Sequence, residues 1–251
     1  MASPILVAAQ CAVQAGDLAA NLALHLDFMR RARELGAALI VFPELSLSGY
    51  EPALASALAQ TADSPLLDPL CSLAIEAAMT VVVGLPLRVA GHDKPQIAAC
   101  ILHPDGSRAI YTKQYLHAGE EQFFIAGQGG ALLLIEDNLV ALSVCADFAH
   151  GDHPAQAAEH GAQVYAASVL IGEGGYPRDS ALLQGYAQHH AMAVLMANHG
   201  GPTGGWAAAG RSAFWDEQGS CIVSTAGVGN RLLVVSRQPD GWHGRDIALS
   251  G

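Results

Sequence analysis

The chain has 251 residues, 51% hydrophobic and 14% charged, with 12 Lys+Arg against 23 Asp+Glu for a formal net charge of −11. That balance excludes intrinsic disorder and leaves enough chain for one large α/β or all-β domain, or two small ones. A nucleic-acid partner is excluded too, because phosphate binding needs a basic face, whereas the arginines are scattered and the only lysines are Lys94 and Lys113.

In chain order, residues 5–9 read as a buried strand, and Asp17 caps a helix running to about Leu35 with Leu18, Leu22, Leu26 and Met29 on one face. Residues 39–42 form a second buried strand, ended by Pro43. A Ser/Gly/Tyr/Pro loop then leads into helical text over about 53–78, broken at Ser64-Pro65. Strands follow at 81–87, 97–103 and 108–112, the last two joined as a hairpin through Pro104-Asp105-Gly106. The second half repeats this texture. Strands at 131–135 and 139–144 flank a turn, a helix covers about 155–160, and a strand covers 164–168. A helix at 180–190 and strands at 193–197, 211–215, 221–225 and 232–236 complete the series. Helices between many strands, with no shift in composition, predict a single α/β domain over 1–251 with mixed sheets and helices outside.

Charges, Pro or Gly interrupt every apolar run well short of about 18 residues, so no membrane partner is expected. The opening MASPILVAAQ lacks the basic start of a signal peptide. The five cysteines (11, 71, 100, 145, 221) are widely spaced with no CxxC pair, so the expected location is the reducing cytoplasm.

Three places put a reactive side chain just after a buried strand, where open α/β sheets bind ligands. The first is Glu44, after 39–43; a solvated loop carboxylate would fit that segment as well. The second is Lys113, after 108–112, a compact and tunable ammonium in a chain that uses arginine nearly everywhere else; on that segment alone an ordinary surface lysine fits better. The third is Cys145, after 139–144. On its own it reads equally as a nucleophile with a lowered pKa or as a buried structural thiol. Cys11, Cys71, Cys100 and Cys221 lie inside apolar strands or helices and fit the structural role better. The cluster His150, Asp152 and His153 lacks the ligand spacing of a zinc site, so no metal is expected, although a zinc protein using His150 and His153 stands as a rival. The glycine runs at 127–130 and 172–175 match no nucleotide-binding loop, and no G-x-S-x-G elbow exists.

Taken together, three segments resemble the nitrilase, or carbon–nitrogen hydrolase, superfamily. They are Phe42-Pro43-Glu44 with Gly49-Tyr50, then Lys113 with Leu116, Gly119 and Glu120, and Cys145 with Asp147. Val7-Ala-Ala-Gln10, Phe124-Ile-Ala-Gly127, Ala197-Asn198 and Gly210-Arg-Ser212 support it in the same order along the chain. The resemblance implies an α-β-β-α sandwich of two mixed sheets between outer helix layers, with no cofactor. It implies Cys145 as nucleophile, Glu44 as general base, Lys113 as electrostatic stabiliser, Glu120 as the second glutamate that orders the site, and the Ala146 N–H in the oxyanion hole. The reaction expected is hydrolysis of a small linear amide through a Cys thioester, with release of ammonia. Ala146-Asp147 replaces the Trp-Glu common after the nucleophile of true nitrilases, and the stretch after Asp147 departs from the usual amidase pattern. An N-carbamoyl hydrolase, a nitrilase and an idle small-molecule-binding member therefore stand as alternatives. Loop positions nominate Tyr50, Phe148, His150, Glu173, Tyr176 and Trp206 for substrate binding. Apolar stretches near Phe148 and at 155–158 suggest a homodimer or higher homo-oligomer.

Overall fold

The computed structural model describes residues 4–249. Strand β1 (Ile5–Gln10), helix α1 (Leu18–Glu34) and strand β2 (Ala37–Val41) lead through the short α2 (Ala55–Leu58) and α3 (Asp68–Ala77) to strands β3 (Thr80–Leu87), β4 (Gln96–Leu102) and β5 (Arg108–Thr112). The second half comprises β6 (Leu133–Ile135), β7 (Asn138–Val144), α4 (Asp152–Glu159), β8 (Val164–Val169), α5 (Tyr176–His190), β9 (Ala193–Asn198), β10 (Ala213–Trp215), β11 (Cys221–Ser224), β12 (Arg231–Gln238) and β13 (Gly241–Ala248).

These strands form a seven-stranded sheet ordered β13-β12-β1-β2-β3-β4-β5 and a six-stranded sheet ordered β11-β10-β9-β8-β7-β6. Each has a parallel centre, β1-β2-β3 in one and β7-β8-β9 in the other, with antiparallel strands around it. The central strands are almost continuously apolar because both faces are covered. Leu6, Leu39 and Val41 of one sheet meet Leu142, Ala166, Leu195 and Phe214 of the other in the inner core. Phe28 and Met29 of α1 and Leu70 and Ala74 of α3 cover the outside of the larger sheet, while Ala157 of α4 and Leu183 and Ala187 of α5 cover the smaller. The architecture is the expected α-β-β-α sandwich. Parallel strands run toward a common end, so the segments after β2, β7, β8 and β9 gather there.

The structure corrects four expectations. Helix α1 buries Asn21, His25, Phe28, Met29 and Ala32, while the leucines at 18, 22 and 26 are only half-buried. Each fully buried leucine would be worth ~1.5–3 kcal/mol, so polar residues on that face need partners. They have them: Asn21 Nδ2 donates to Leu47 O at 2.9 Å and Ser46 Oγ meets His25 Nε2 at 2.9 Å. The helix thus grips the loop that follows β2. Helix α5 begins at Tyr176 rather than at 180, because Pro177 is tolerated in a first turn whose N–H groups have no helical partner. Residues 241–248 form the edge strand β13, antiparallel to β12, beyond the last strand expected at 232–236. Cys221 lies on a strand as expected, yet its side chain is exposed rather than buried. Among the described residues no helix is long and apolar enough to cross a membrane.

Candidate active site

Glu44, Lys113, Glu120 and Cys145 come together from both sheets. Glu44 lies in the turn after β2, packed against β3 at Gly84, where an added Cβ would stand 2.4 Å from Leu45 N and 2.5 Å from Pro43 O. Only glycine permits that approach. Lys113 follows β5 and is wholly buried, with Glu44 1% and Glu120 3% exposed. Its Nζ donates to Glu44 Oε1 at 2.7 Å and to both Glu120 oxygens at 2.8 Å. Glu120 also accepts from Tyr50 Oη at 2.8 Å and from His117 N at 2.7 Å. Glu44 Oε2 is buried with no hydrogen-bond partner.

Burying one ammonium with two carboxylates sets the electrostatics. Burial raises the Glu44 pKa to about 7; Lys113 opposes that rise and the Glu120 charge adds to it. Burial works against the charge on Lys113, but the facing Glu44 carboxylate, with Cys145 and Glu120, holds its pKa above the ordinary lysine value. Lys113 is therefore a fixed cation, and Glu44 is a carboxylate poised to exchange a proton near neutrality.

Cys145 directly follows β7 at φ +44°, in the left-handed region that a non-glycine residue seldom adopts. Its half-buried thiol donates to Leu170 O at 3.7 Å. Burial, reinforced by the Glu44 charge, pushes its pKa well above the ordinary thiol value. The resting sulfur keeps its proton until a base removes it. Asp147 anchors this turn: Oδ2 accepts from Val144 N at 3.0 Å and from Tyr111 Oη at 2.7 Å, and Oδ1 accepts from Gln114 N and Tyr115 N at 2.9 Å each. The segments carrying Lys113 and Cys145 are thereby tied through one carboxylate.

A cavity of about 470 Å³ opens over Glu44, Glu120, Cys145 and Ala146. Of the nominated binding residues, Tyr50, Phe148, Glu173 and Trp206 line it. Trp206 is carried on a turn clamped to Tyr50, whose N–H donates to Thr203 Oγ1 at 2.8 Å. His150 and Tyr176 do not line the cavity. The His150 ring is exposed and stacks on Tyr115 at 3.8 Å between centroids, and Tyr176 Oη donates to Arg211 O at 2.8 Å. Phe148 is buried, so it adds nothing to an apolar surface patch. The zinc rival fails on placement: His153 is buried with Nε2 at 2.7 Å from Tyr111 Oη and Nδ1 at 2.8 Å from Tyr165 Oη, which occupies both ring nitrogens. Sequence reasoning missed His117, Arg178, Asp179, Leu170 and Ile171 as lining residues. Leu170 and Ile171 follow β8, so the strand-end signal that singled out Glu44 would also have found them.

A family model described as carbon-nitrogen hydrolase matches residues 6–243. The chain belongs to the carbon-nitrogen hydrolase family, whose enzymes hydrolyse C–N bonds. Among solved structures it is similar to the nitrilase-superfamily amidase from Nesterenkonia sp. AN1. In one of these, a cysteine-to-alanine variant is in complex with butyramide; identity is 27%, the TM-score 0.83, and 94% of this chain and 91% of that one are covered. In another, the acetamide moiety of fluoroacetamide is joined to the active-site cysteine, at 28% identity, TM-score 0.83, and coverage of 94% and 90%. A glutamine-dependent NAD(+) synthetase of Mycobacterium tuberculosis is 38% identical over 104 residues, which are 40% of this chain and 15% of the synthetase. A hydrolase of the same organism is 29% identical over 164 residues, 63% of this chain and 58% of that protein. The chain thus spans only a minor part of the synthetase.

Proposed function

We propose that the protein is a thiol amidohydrolase that cleaves a small linear amide and releases ammonia. The observation that carries this reading is the unpartnered Glu44 Oε2 in the cavity that also exposes Cys145, with the Lys113 cation fixed behind it. Glu44 takes the thiol proton as the sulfur bonds to the amide carbon, and the carbonyl electron pair moves onto oxygen. The tetrahedral oxyanion is stabilised by the Lys113 charge and the Ala146 N–H. Because Lys113 is already engaged by both glutamates, its part is electrostatic. Glu44 next gives its proton to the leaving nitrogen, and the C–N bond breaks to leave ammonia and a thioester. It then deprotonates the water that attacks the thioester carbon. The carboxylic acid departs and the proton returns to sulfur.

The cavity favours a neutral acyl group. Phe148, Leu170, Ile171 and Trp206 form an apolar wall, while the charges at its mouth are spent on each other, Arg178 with Asp179 and Glu173 with Arg211. The likeness to glutamine-dependent synthetases favours a second reading, in which the amide is the side chain of glutamine. Ammonia release from butyramide, glutamine, an aliphatic nitrile and an N-carbamoyl amino acid separates these readings. Butyramide is expected to be hydrolysed and glutamine not. Release from glutamine alone selects the second reading, carbon dioxide released with the ammonia selects a carbamoyl hydrolase, and no product from any of them overturns the proposal.

The same reading includes a homodimer. The groove between α4 and α5 is lined mostly by small and apolar residues, among them Ala155, Ala181, Leu182 and Gly185, with His189 and His190 beside them, a surface that would admit close approach of a second copy. Light scattering that returned a 26.0 kDa particle at micromolar concentration would remove this part.

A further inference from the structure

What fixes the turn bearing Glu44 is where its main-chain carbonyls go. Two of them reach across to the other sheet. Phe42 O accepts from Ser168 Oγ of β8 at 2.7 Å, and Glu44 O is 2.7 Å from Nε2 of His199, the residue after β9. A carbonyl only accepts, so Nε2 carries the ring proton and Nδ1 presents a bare lone pair. Nδ1 is buried with no partner. His199 is itself wholly buried, and that burial lowers its pKa to about 4, which keeps the ring neutral with a single donor. An apolar side chain would fill this space without stranding a nitrogen, so the ring is present for the bond it donates.

Its surroundings are equally fixed. His199 N donates to Asn198 Oδ1 at 2.9 Å; the same oxygen accepts from Ile171 N at 2.8 Å, and Asn198 Nδ2 donates to Gly210 O at 2.8 Å. The end of β9 thus braces the cavity wall at Ile171 and, through His199, the turn at Glu44. That turn needs bracing, since Leu45, the next residue, is held at φ +52°.

We infer that His199 is a positioning residue for hydrolysis: its Nε2–H pins the Glu44 carbonyl and so holds the Glu44 carboxylate in place between Lys113 and Cys145. This rests on the reading of Glu44 as general base. Displacing such a base by about 1 Å costs on the order of a hundredfold in rate.

The test compares His199→Phe, which keeps a ring but no donor, with His199→Gln, which returns an N–H near the position of Nε2. Two rates are read, butyramide turnover and alkylation of Cys145 by chloroacetamide, the second being measurable without a turned-over substrate. Folding is followed by thermal melting. His199→Phe should be folded, with both rates down by about a hundredfold and KM little changed, while His199→Gln should recover most of both. A folded His199→Phe that matches the wild type in both rates overturns the inference. If His199→Phe does not fold, His199→Asn, too short to reach the carbonyl, takes its place against His199→Gln; equal rates for these two also overturn it. Glu44→Gln separates the two levels. If Cys145 in Glu44→Gln is alkylated at the wild-type rate, the base reading falls and takes the inference with it. If Glu44→Gln is slow while His199→Phe is fast, only the role of His199 falls.

Discussion

Two buried polar clusters flank Cys145, and they are completed to different degrees. In the first, Lys113 lies between Glu44 and Glu120, and one carboxylate oxygen, Glu44 Oε2, is left open. In the second, Asp147 accepts four donors and His153 has both ring nitrogens engaged by tyrosine hydroxyls. A buried polar atom without a partner is costly. Glu44 Oε2 differs from the equally unpartnered His199 Nδ1 in belonging to a residue that lines the cavity beside Cys145, where a reaction can use it. A saturated cluster has no lone pair or proton to spare, and it serves as a brace. The contrast assigns chemistry to the first cluster and geometry to the second, although both lie next to the same cysteine.

The largest effect that would test this division is loss of the sulfur. Cys145→Ala should abolish butyramide hydrolysis and leave the melting curve intact, whereas Cys221→Ala, at an exposed thiol on β11, should keep most activity. If the two variants behaved alike, the open cluster would have no nucleophile to serve.

Next comes the cation. Lys113 fills a wholly buried slot between two carboxylates. A guanidinium is larger and spreads its charge over a fork, so it cannot reproduce a compact ammonium there. Losing such stabilisation of an oxyanion costs about 2.7–4 kcal/mol, or roughly a hundred- to thousandfold in kcat. Lys113→Arg should therefore fail nearly as badly as Lys113→Ala. Lys94→Arg is the control: Lys94 is exposed, donates to Glu121 O at 2.8 Å, and should be silent. Near wild-type kcat in Lys113→Arg would strip the first cluster of its electrostatic member.

The pH profile sharpens the same division. As the proposed base, Glu44 must be deprotonated to accept the thiol proton, and burial raises its carboxyl from 4.5 to about 7. Activity is thus present above that value and lost below it, with kcat/KM falling by about tenfold per pH unit on the acid side. Cys145 and Lys113 are both shifted upward, so no alkaline loss follows close behind. A kcat/KM profile that stays flat between about pH 5 and 9 would show that no such base titrates.

The two clusters were also unequally legible in the sequence. Glu44 and Cys145 each follow a run rich in β-branched and leucine residues, and Lys113 ends the second strand of a hairpin; strand ends are where such a fold exposes side chains. His199 stands just as close behind β9, but a single histidine in a glycine-rich stretch carries no pattern, and its bond to Glu44 O spans 155 positions. Arg178 and Asp179 carry no signal of their own in the sequence; it is the start of α5 at Tyr176 rather than 180 that brings both to the cavity. The loop position of His150 makes it a candidate for substrate binding, yet its ring turns outward onto Tyr115. Strand β13 escaped because Gly-Trp-His-Gly-Arg-Asp at a sheet edge shows neither alternation nor β-branching; its pairing with β12 is decided by tertiary context.

Asp147→Asn probes the saturated cluster and should have the smallest effect on turnover. The Asp147 side chain is wholly buried and every one of its lone-pair directions meets a donor. An amide has one oxygen and one NH2. If the oxygen stays with Gln114 N and Tyr115 N, the NH2 confronts the Val144 N–H; if it is flipped, the NH2 confronts the other two. At least one backbone N–H is then orphaned next to the Cys145 turn, a loss of about 1–3 kcal/mol. Urea unfolding should show a lower midpoint with an unchanged slope, since compactness is not altered. Turnover per folded molecule should stay within about tenfold of wild type, because the reacting groups are all retained. A variant as stable as wild type but as inactive as Cys145→Ala would break the comparison, for it would move Asp147 from the brace into the chemistry.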